Sequence, residues 1–174
     1  MVRSPRRAQR TRSERGASAV EFAILLPVLI TIIGAIIDFG FIFSQQITMN
    51  NSARDAARAG VVTTLSGSTM SCSQIAAQAR DAMTSGAVGI SNANKIRVGV
   101  VVTGQAGSCT LAANSASVSS NGTITPCTGS SGAAVGTLKN LQVTVSYSST
   151  PPFPVPFMGT PVLSARGDFQ CEYT

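Results

Sequence analysis

Residues 15–60 decide the fold, and they read RGASAVEFAILLPVLITIIGAIIDFGFIFSQQITMNNSARDAARAG. Residues 22–37 contain no charge, and the apolar run extends over residues 20–43 if Glu21 and Asp38 lie at its two rims. A helix over residues 20–43 would be about 36 Å long, which exceeds the roughly 30 Å of bilayer hydrocarbon by enough for a modest tilt. The sequence therefore predicts a membrane span over about residues 20–43.

The charges around this span predict its orientation. Six of the thirteen basic residues lie in the first fifteen positions, opposed only by Glu14. Because cytoplasmic flanks are enriched in Arg and Lys, we expect a single-pass protein of the cytoplasmic membrane, with its N-terminus in the cytoplasm and its C-terminal domain outside. From Ala17 onward seven basic residues face six acidic ones, so the composition predicts no nucleic-acid partner.

A cleaved secretory signal is the alternative interpretation of this N-terminus. The apolar run is longer than the core of a usual signal peptide, and no small-x-small cleavage site follows it closely. The triplet Ala57-Arg58-Ala59 has the right shape but lies too far downstream.

The apolar pattern continues beyond the span as one face of a longer helix. That face is predicted to contain residues spaced three or four apart, namely Phe39, Ile42, Gln46, Met49, Ala53, Ala56 and Gly60. We predict a basic cytoplasmic leader over residues 1–16, disordered through Arg15, and a long N-terminal helix over residues 17–60. An extracytoplasmic domain follows over residues 61–174.

The domain over residues 61–174 carries the patterns of an α+β fold. A short helix is predicted over residues 73–82. Apolar and polar residues then alternate over residues 96–103, 141–148 and 163–173, which is typical of antiparallel strands with one buried face. We expect the small residues of the long helix to cover that face.

Two stretches between the strands are predicted to be irregular. Residues 103–132 are rich in Ser, Thr and Gly, which favours an exposed loop with a hairpin at Asn121-Gly122. Residues 151–159 read PPFPVPFMG, and four prolines exclude a helix or a central strand. We expect this segment to pack on its own chain, with lipid headgroups or a neighbouring subunit as alternatives.

The four cysteines, Cys72, Cys109, Cys127 and Cys171, all fall in the predicted exterior domain, where disulfides persist. Three pairings are possible. We predict Cys109–Cys127, because it closes the loop over residues 103–132, and Cys72–Cys171 as the remaining pair. The chain has no histidine and no Cys-x-x-Cys motif, so a zinc site is not expected.

The residue types also argue against catalysis. Without histidine the common Ser-His and Cys-His nucleophiles are impossible, and no phosphate-binding Gly-Lys-Ser/Thr loop is present. A Ser–Lys dyad using Lys95 or Lys139 is the remaining option, and nothing in the sequence marks one. We therefore expect no enzyme and no cofactor.

The membrane end of the chain carries a family resemblance. Gly16-Ala17-Ser18-Ala19-Val20-Glu21-Phe22 resembles the processing site of type IV prepilins, in which a basic leader ends in Gly and the fifth mature residue is Glu. Together with the apolar helix and the string ARDAARAG that ends at Gly60, it makes residues 15–60 resemble TadE-like proteins of the Tad (Flp) pilus machinery.

The resemblance implies a pilin-like fold, in which a long membrane-spanning helix packs on a small antiparallel sheet. It also implies a structural minor pilin or pseudopilin, processed between Gly16 and Ala17, that assembles through its N-terminal helix with Glu21 and Phe22 as assembly residues. The implied partners are membrane lipid, a prepilin peptidase, the Tad inner-membrane platform, other Tad minor pilins and a major Flp-type pilin. The alternative is an unprocessed single-pass anchor whose exterior domain is a scaffold or binding module.

Overall fold

The structure is a computed structural model that describes residues 10–62, 70–86, 90, 92–122, 127, 139–153 and 159–171. The described helices and strands are α1 (Arg10–Val61), α2 (Cys72–Gly86), β1 (Ile96–Val102), β2 (Ser108–Leu111), β3 (Val118–Asn121), β4 (Asn140–Ser148) and β5 (Val162–Gln170). A short 3₁₀ turn, Ala93–Lys95, precedes β1. This arrangement of a long N-terminal helix and an antiparallel sheet confirms the predicted α+β class.

Helix α1 runs for 52 residues without interruption, through Pro27 and into the sheet domain. It begins at Arg10, so the predicted disordered tail is wrong for residues 10–15. The physical reason is that Arg has a high helix propensity, and a helix that is already formed extends into such residues at little cost. Residues 1–9 lie outside the described residues.

The five strands form one antiparallel sheet in the order β3-β2-β1-β4-β5. The three strands predicted from alternation are confirmed as β1, β4 and β5. Their register aligns the apolar positions, with Val98 beside Val145 and Val145 beside Ala165. One face of the sheet is therefore apolar and buried, and the other faces solvent.

The prediction that residues 103–132 form a loop is wrong for the two strands β2 and β3. β2 turns only Cys109 and Leu111 inward, and β3 is a polar edge strand, so neither is long or apolar enough to show a period-two pattern. β3 ends at Asn121 and Gly122 follows with a φ of 79°. The rest of the predicted Asn121-Gly122 hairpin lies outside the described residues.

The outer half of α1 packs across β4 and β5, while α2 packs on α1 and, on the same face of the sheet, on β1 and β2. Met49, Ala53, Ala56 and Gly60 are buried, as predicted. Phe39 is not, because its side chain is 72% exposed.

Near the membrane span the buried positions of α1 are instead Asp38 and Gln45, which are 4% and 0% exposed. The pattern inverts here because lipid accepts apolar side chains, whereas polar side chains at that depth must turn toward protein. The predicted sheet-facing side of α1 is therefore wrong for Phe39 at its membrane end, whereas Gln46 does contact the sheet through its hydrogen bond to the Ser164 carbonyl.

Backbone approaches backbone where β5 crosses α1. A Cβ atom on Gly167 would fall on the carbonyl group of Ala53 and lie 2.9 Å from the Cα of Arg54. Both obstacles are backbone atoms of a helix, so they cannot rotate away. Only glycine allows this crossing.

The disulfides differ from the predicted pairing. Cys72 is bonded to Cys109, with Cα atoms 6.3 Å apart, and Cys127 is bonded to Cys171, with Cα atoms 5.2 Å apart. The prediction is wrong because β2 was not foreseen. Cys109 on β2 and Cys171 after β5 are separated by three strand spacings, about 14 Å. Because Cys72 lies beside Cys109, it cannot also reach Cys171.

We expect Gly167→Ala to lower the free energy of unfolding of the sheet domain by about 1–3 kcal/mol, the usual cost of overpacking. Gly99→Ala is the matched control, because Gly99 lies in β1 and a Cβ atom there would meet nothing within 4 Å. Calorimetric melting of both variants in detergent measures the difference. Equal melting temperatures would contradict the close crossing of α1 and β5.

Peptide mapping of the unreduced protein should recover Cys72–Cys109 and Cys127–Cys171. The bonded cysteines are 37 and 44 residues apart, so each bond should contribute about 4 kcal/mol in the chain-entropy model. Removing either pair by Cys→Ser should therefore lower the melting temperature strongly. A recovered Cys109–Cys127 peptide would show that the placement of β2 is wrong.

Candidate functional site

The inner half of α1 presents a continuous apolar surface that the rest of the described chain does not cover. Its large apolar side chains are between 38% and 72% exposed: Val20, Phe22, Ile24, Leu25, Leu26, Val28, Leu29, Ile30, Ile32, Ile33, Ile36, Ile37, Phe39 and Phe43. We call this set the apolar shaft. So large an exposed apolar surface is not stable in water and marks a membrane or protein contact.

Length and composition make α1 one helix able to cross a membrane, and none of its most apolar window is buried. A core helix of a soluble protein would be covered, so that interpretation does not apply here. A signal peptide removed at Ala57-Arg58-Ala59 does not fit either, because Met49, Ala53 and Ala56 belong to the core of the sheet domain. The helix is a candidate single membrane span that remains attached to its domain.

The predicted processing and assembly residues all lie on the exposed surface of α1. Gly16, Ala17, Glu21 and Phe22 are exposed, and a Cβ atom on Gly16 would meet nothing within 4 Å. Ala17 and Glu21 are four residues apart, so they lie about one helical turn, roughly 6 Å, apart on the same face. No ion pair to Glu21 forms with the part of the chain that the structure describes.

The junction between the apolar shaft and the sheet is held by two polar contacts from the chain after β4. The Phe153 backbone N–H donates to Asp38 Oδ1 at 2.9 Å, and the Ser149 hydroxyl donates to Gln45 Oε1 at 2.6 Å. The Phe153 Cβ also lies 3.8 Å, and the first ring atom 4.0 Å, from where a Cβ atom on Gly34 would be. The start of the proline-rich segment therefore packs on its own chain, as expected, and residues 154–158 lie outside the described residues.

Asp38 was predicted to lie at the rim of the span, and the segment after β4 covers it, leaving it 4% exposed. Asp38 Oδ2 and Gln45 Nε2 are buried and make no hydrogen bond to a described residue. Leaving such atoms unpaired is costly, so the contacts that are made matter for positioning the domain. Sequence reasoning missed Gln45 and Ser149. A signal was present for Gln45, a polar residue seven positions after Asp38 and on the same side of the helix.

Within the described residues, no group of three or more histidine, cysteine or acidic side chains could hold a metal ion. All four cysteines are in disulfides. Burial raises the pKa of the Tyr147 phenol above its usual value of 10.0, so this side chain stays neutral at physiological pH.

Fold and surface together define a class of protein, in which an α+β domain continues from a candidate membrane span. A family model described as TadE-like protein matches residues 16–58, which is most of α1. The predicted resemblance to TadE-like proteins is thereby confirmed for this helix. No curated protein and no solved structure matches the chain. The family match and the exposed helix together indicate a membrane protein associated with the Tad pilus.

Proposed function

We propose that the protein is a structural minor pilin or pseudopilin of a Tad (Flp) pilus. It inserts in the cytoplasmic membrane with its N-terminus in the cytoplasm, is processed between Gly16 and Ala17, and assembles through its N-terminal helix. The observation that carries the proposal is that the apolar shaft is uncovered while the same helix forms the core of the sheet domain. Such a helix can exchange lipid for the shafts of neighbouring subunits without any change in its domain.

The partners follow from this proposal. A prepilin peptidase would remove the leader, and the Tad inner-membrane platform would receive the processed chain. Other Tad minor pilins and a major Flp-type pilin would then pack against the apolar shaft. We propose a structural role without catalysis, consistent with the absence of histidine from the chain.

Glu21 has a physical role in this proposal. Cleavage after Gly16 creates an α-ammonium group on Ala17, and a carboxylate among packed helices is tolerable only when it is paired. Glu21 is exposed on the single chain, so its partner would be the Ala17 ammonium of its own or of a neighbouring subunit.

One observation favours a second candidate, an unprocessed anchor whose exterior domain acts as a scaffold or binding module. The Gly16–Ala17 bond lies inside a helix that already begins at Arg10. Peptidases act on extended or locally opened chain, so this bond must unwind before it can be cut. The two candidates differ in the N-terminus of the mature protein.

We expect the protein isolated from membranes to begin at Ala17, as measured by intact mass and N-terminal sequencing. Gly16→Val should leave the leader attached, because a branched side chain crowds a site that accepts glycine. Gly40→Val is the matched control, since a Cβ atom at either glycine would meet nothing within 4 Å. A wild-type chain that keeps its first residues would contradict processing and favour the anchor.

Glu21→Ala should remain inserted and largely processed, because carboxylates contribute little to topology. It should fail to associate with other subunits, since breaking a buried ion pair costs about 3–5 kcal/mol. Crosslinking in membranes at matched protein levels measures association, and Glu21→Asp, which keeps the charge, should retain part of it. Full association of a processed Glu21→Ala protein would reduce Glu21 to a residue of the membrane rim.

A further inference from the structure

Contacts between α1 and β5 show which end of the sheet points toward the apolar shaft. Gln46 Nε2 donates to the Ser164 carbonyl at 2.8 Å, while Gly167, further along β5, lies against Ala53, further along α1. β5 therefore begins at the membrane end of the domain. Because β4 pairs antiparallel with β5 and with β1, the end of β4 and the start of β1 lie there too. We call this end of the sheet the base.

The base carries exposed apolar side chains at the level where the shaft ends. Val162, the first residue of β5, is 70% exposed, and Phe153 is 54% exposed although its backbone is bonded to Asp38. On α1, Phe43 and Ile47 are also exposed at this level. Exposed apolar groups thus extend from the shaft onto the underside of the domain.

A cavity of about 220 Å³ opens on the solvent face of the sheet at the base. It is lined by Lys95, Arg97, Ser146, Tyr147, Ser148 and Val162. The register explains this grouping, because Arg97 pairs with Ser146 and Ser148 pairs with Val162 on neighbouring strands. The volume is several times the roughly 30 Å³ of one liquid water molecule, which leaves room for a phosphate group.

The described residues give the cavity a positive charge. None of the described residues that line it is acidic, and neither Lys95 nor Arg97 is ion-paired with another described residue. On the same sheet Asp168 is occupied by Arg166, whose Nε lies 2.7 Å from its carboxylate. Tyr147 adds no charge at neutral pH, since burial raises its pKa. Guanidinium, ammonium and hydroxyl donors together suit the oxygens of a phosphate.

We propose that this cavity binds the phosphate of an anionic phospholipid headgroup, which seats the base of the domain on the bilayer. Lys95 and Arg97 supply the charge, Ser146 and Ser148 supply hydroxyl donors, and Val162 and Phe153 contact the lipid around the headgroup. The inference rests on the membrane insertion of α1 in the proposed function. It assigns the domain a fixed face toward lipid, with Lys95 and Arg97 attracted to the headgroup phosphate.

The chain contains no tryptophan, so Val162→Trp in the full-length protein places a single tryptophan, which can be excited apart from the two tyrosines, at the rim of the cavity. The protein is reconstituted in vesicles of equal parts phosphatidylglycerol and phosphatidylcholine, with bromine near the headgroup of one lipid or of the other. We expect quenching about twofold stronger when phosphatidylglycerol carries the bromine, because the anionic headgroup is enriched at the site. Phe153→Trp is a second reporter in case the Val162→Trp ring fills the cavity.

Lys95→Gln/Arg97→Gln should make quenching by the two brominated lipids equal. Arg54→Gln/Arg58→Gln is the matched control: it removes the same charge from exposed positions on α1 away from the base, and should keep the preference. About 1 mM inorganic phosphate should not abolish the preference, because lipid in the bilayer is presented at a far higher effective concentration.

Equal quenching by both lipids in an inserted protein that carries Lys95 and Arg97 would overturn the headgroup site. Loss of the preference in the Arg54→Gln/Arg58→Gln control would overturn it too, since general charge would then explain the result. Loss with inorganic phosphate would assign the cavity to free phosphate instead. Extraction of the protein from the vesicles by alkaline carbonate would reject insertion itself, and with it the proposed function. If only the headgroup site is wrong, the protein stays in the vesicles, so the two failures can be distinguished.

Discussion

One continuous helix must satisfy two different surroundings, and the rest of the structure depends on how it does so. The outer half of α1 is buried against a sheet, with small residues such as Ala53 and Ala56 that let the strands approach closely. The inner half is apolar over most of its surface and is largely uncovered by the described chain, apart from the contacts of Phe153 with Gly34 and Asp38. Because both halves belong to one helix, a rotation of the sheet domain about the helix axis turns the apolar shaft with it.

The polar contacts at the junction make this coupling specific. A helix that leaves a bilayer could meet its domain at many rotations, since apolar packing alone is not directional. Asp38 and Gln45 face the sheet and bind Phe153 and Ser149, which selects one rotation. The same geometry turns one end of the sheet toward the membrane. A fixed orientation would suit the proposed pilin subunit, which presents its helix to its neighbours.

Much of this fold could be predicted because its strongest elements repeat with simple periods. The apolar run of α1 and the alternation in β1, β4 and β5 are long enough to identify these elements from the local sequence, without knowledge of the strands they pair with. β2 could not be predicted, since its four residues show only Cys109 and Leu111 as inward positions, and the disulfide pairing was wrong for that reason. The burial of Asp38 and Gln45 was not predicted, because polar side chains near lipid turn toward protein, whereas in water they turn toward solvent. The cavity at the base depends on register between three strands, which no local pattern contains.

The account depends most directly on the claim that the apolar shaft lies in lipid while the outer half of the same helix does not. All four native cysteines are in disulfides, so a single introduced cysteine can carry a spin label at Ile24, Ile30, Ile36 or Arg58. Electron paramagnetic resonance of the full-length protein in vesicles then compares access of oxygen, which enters lipid, with that of a water-soluble nickel complex. We predict that the three isoleucine positions are accessible to oxygen but not to nickel, and that Arg58 is accessible to nickel. Nickel access at Ile30 equal to that at Arg58 would contradict the account.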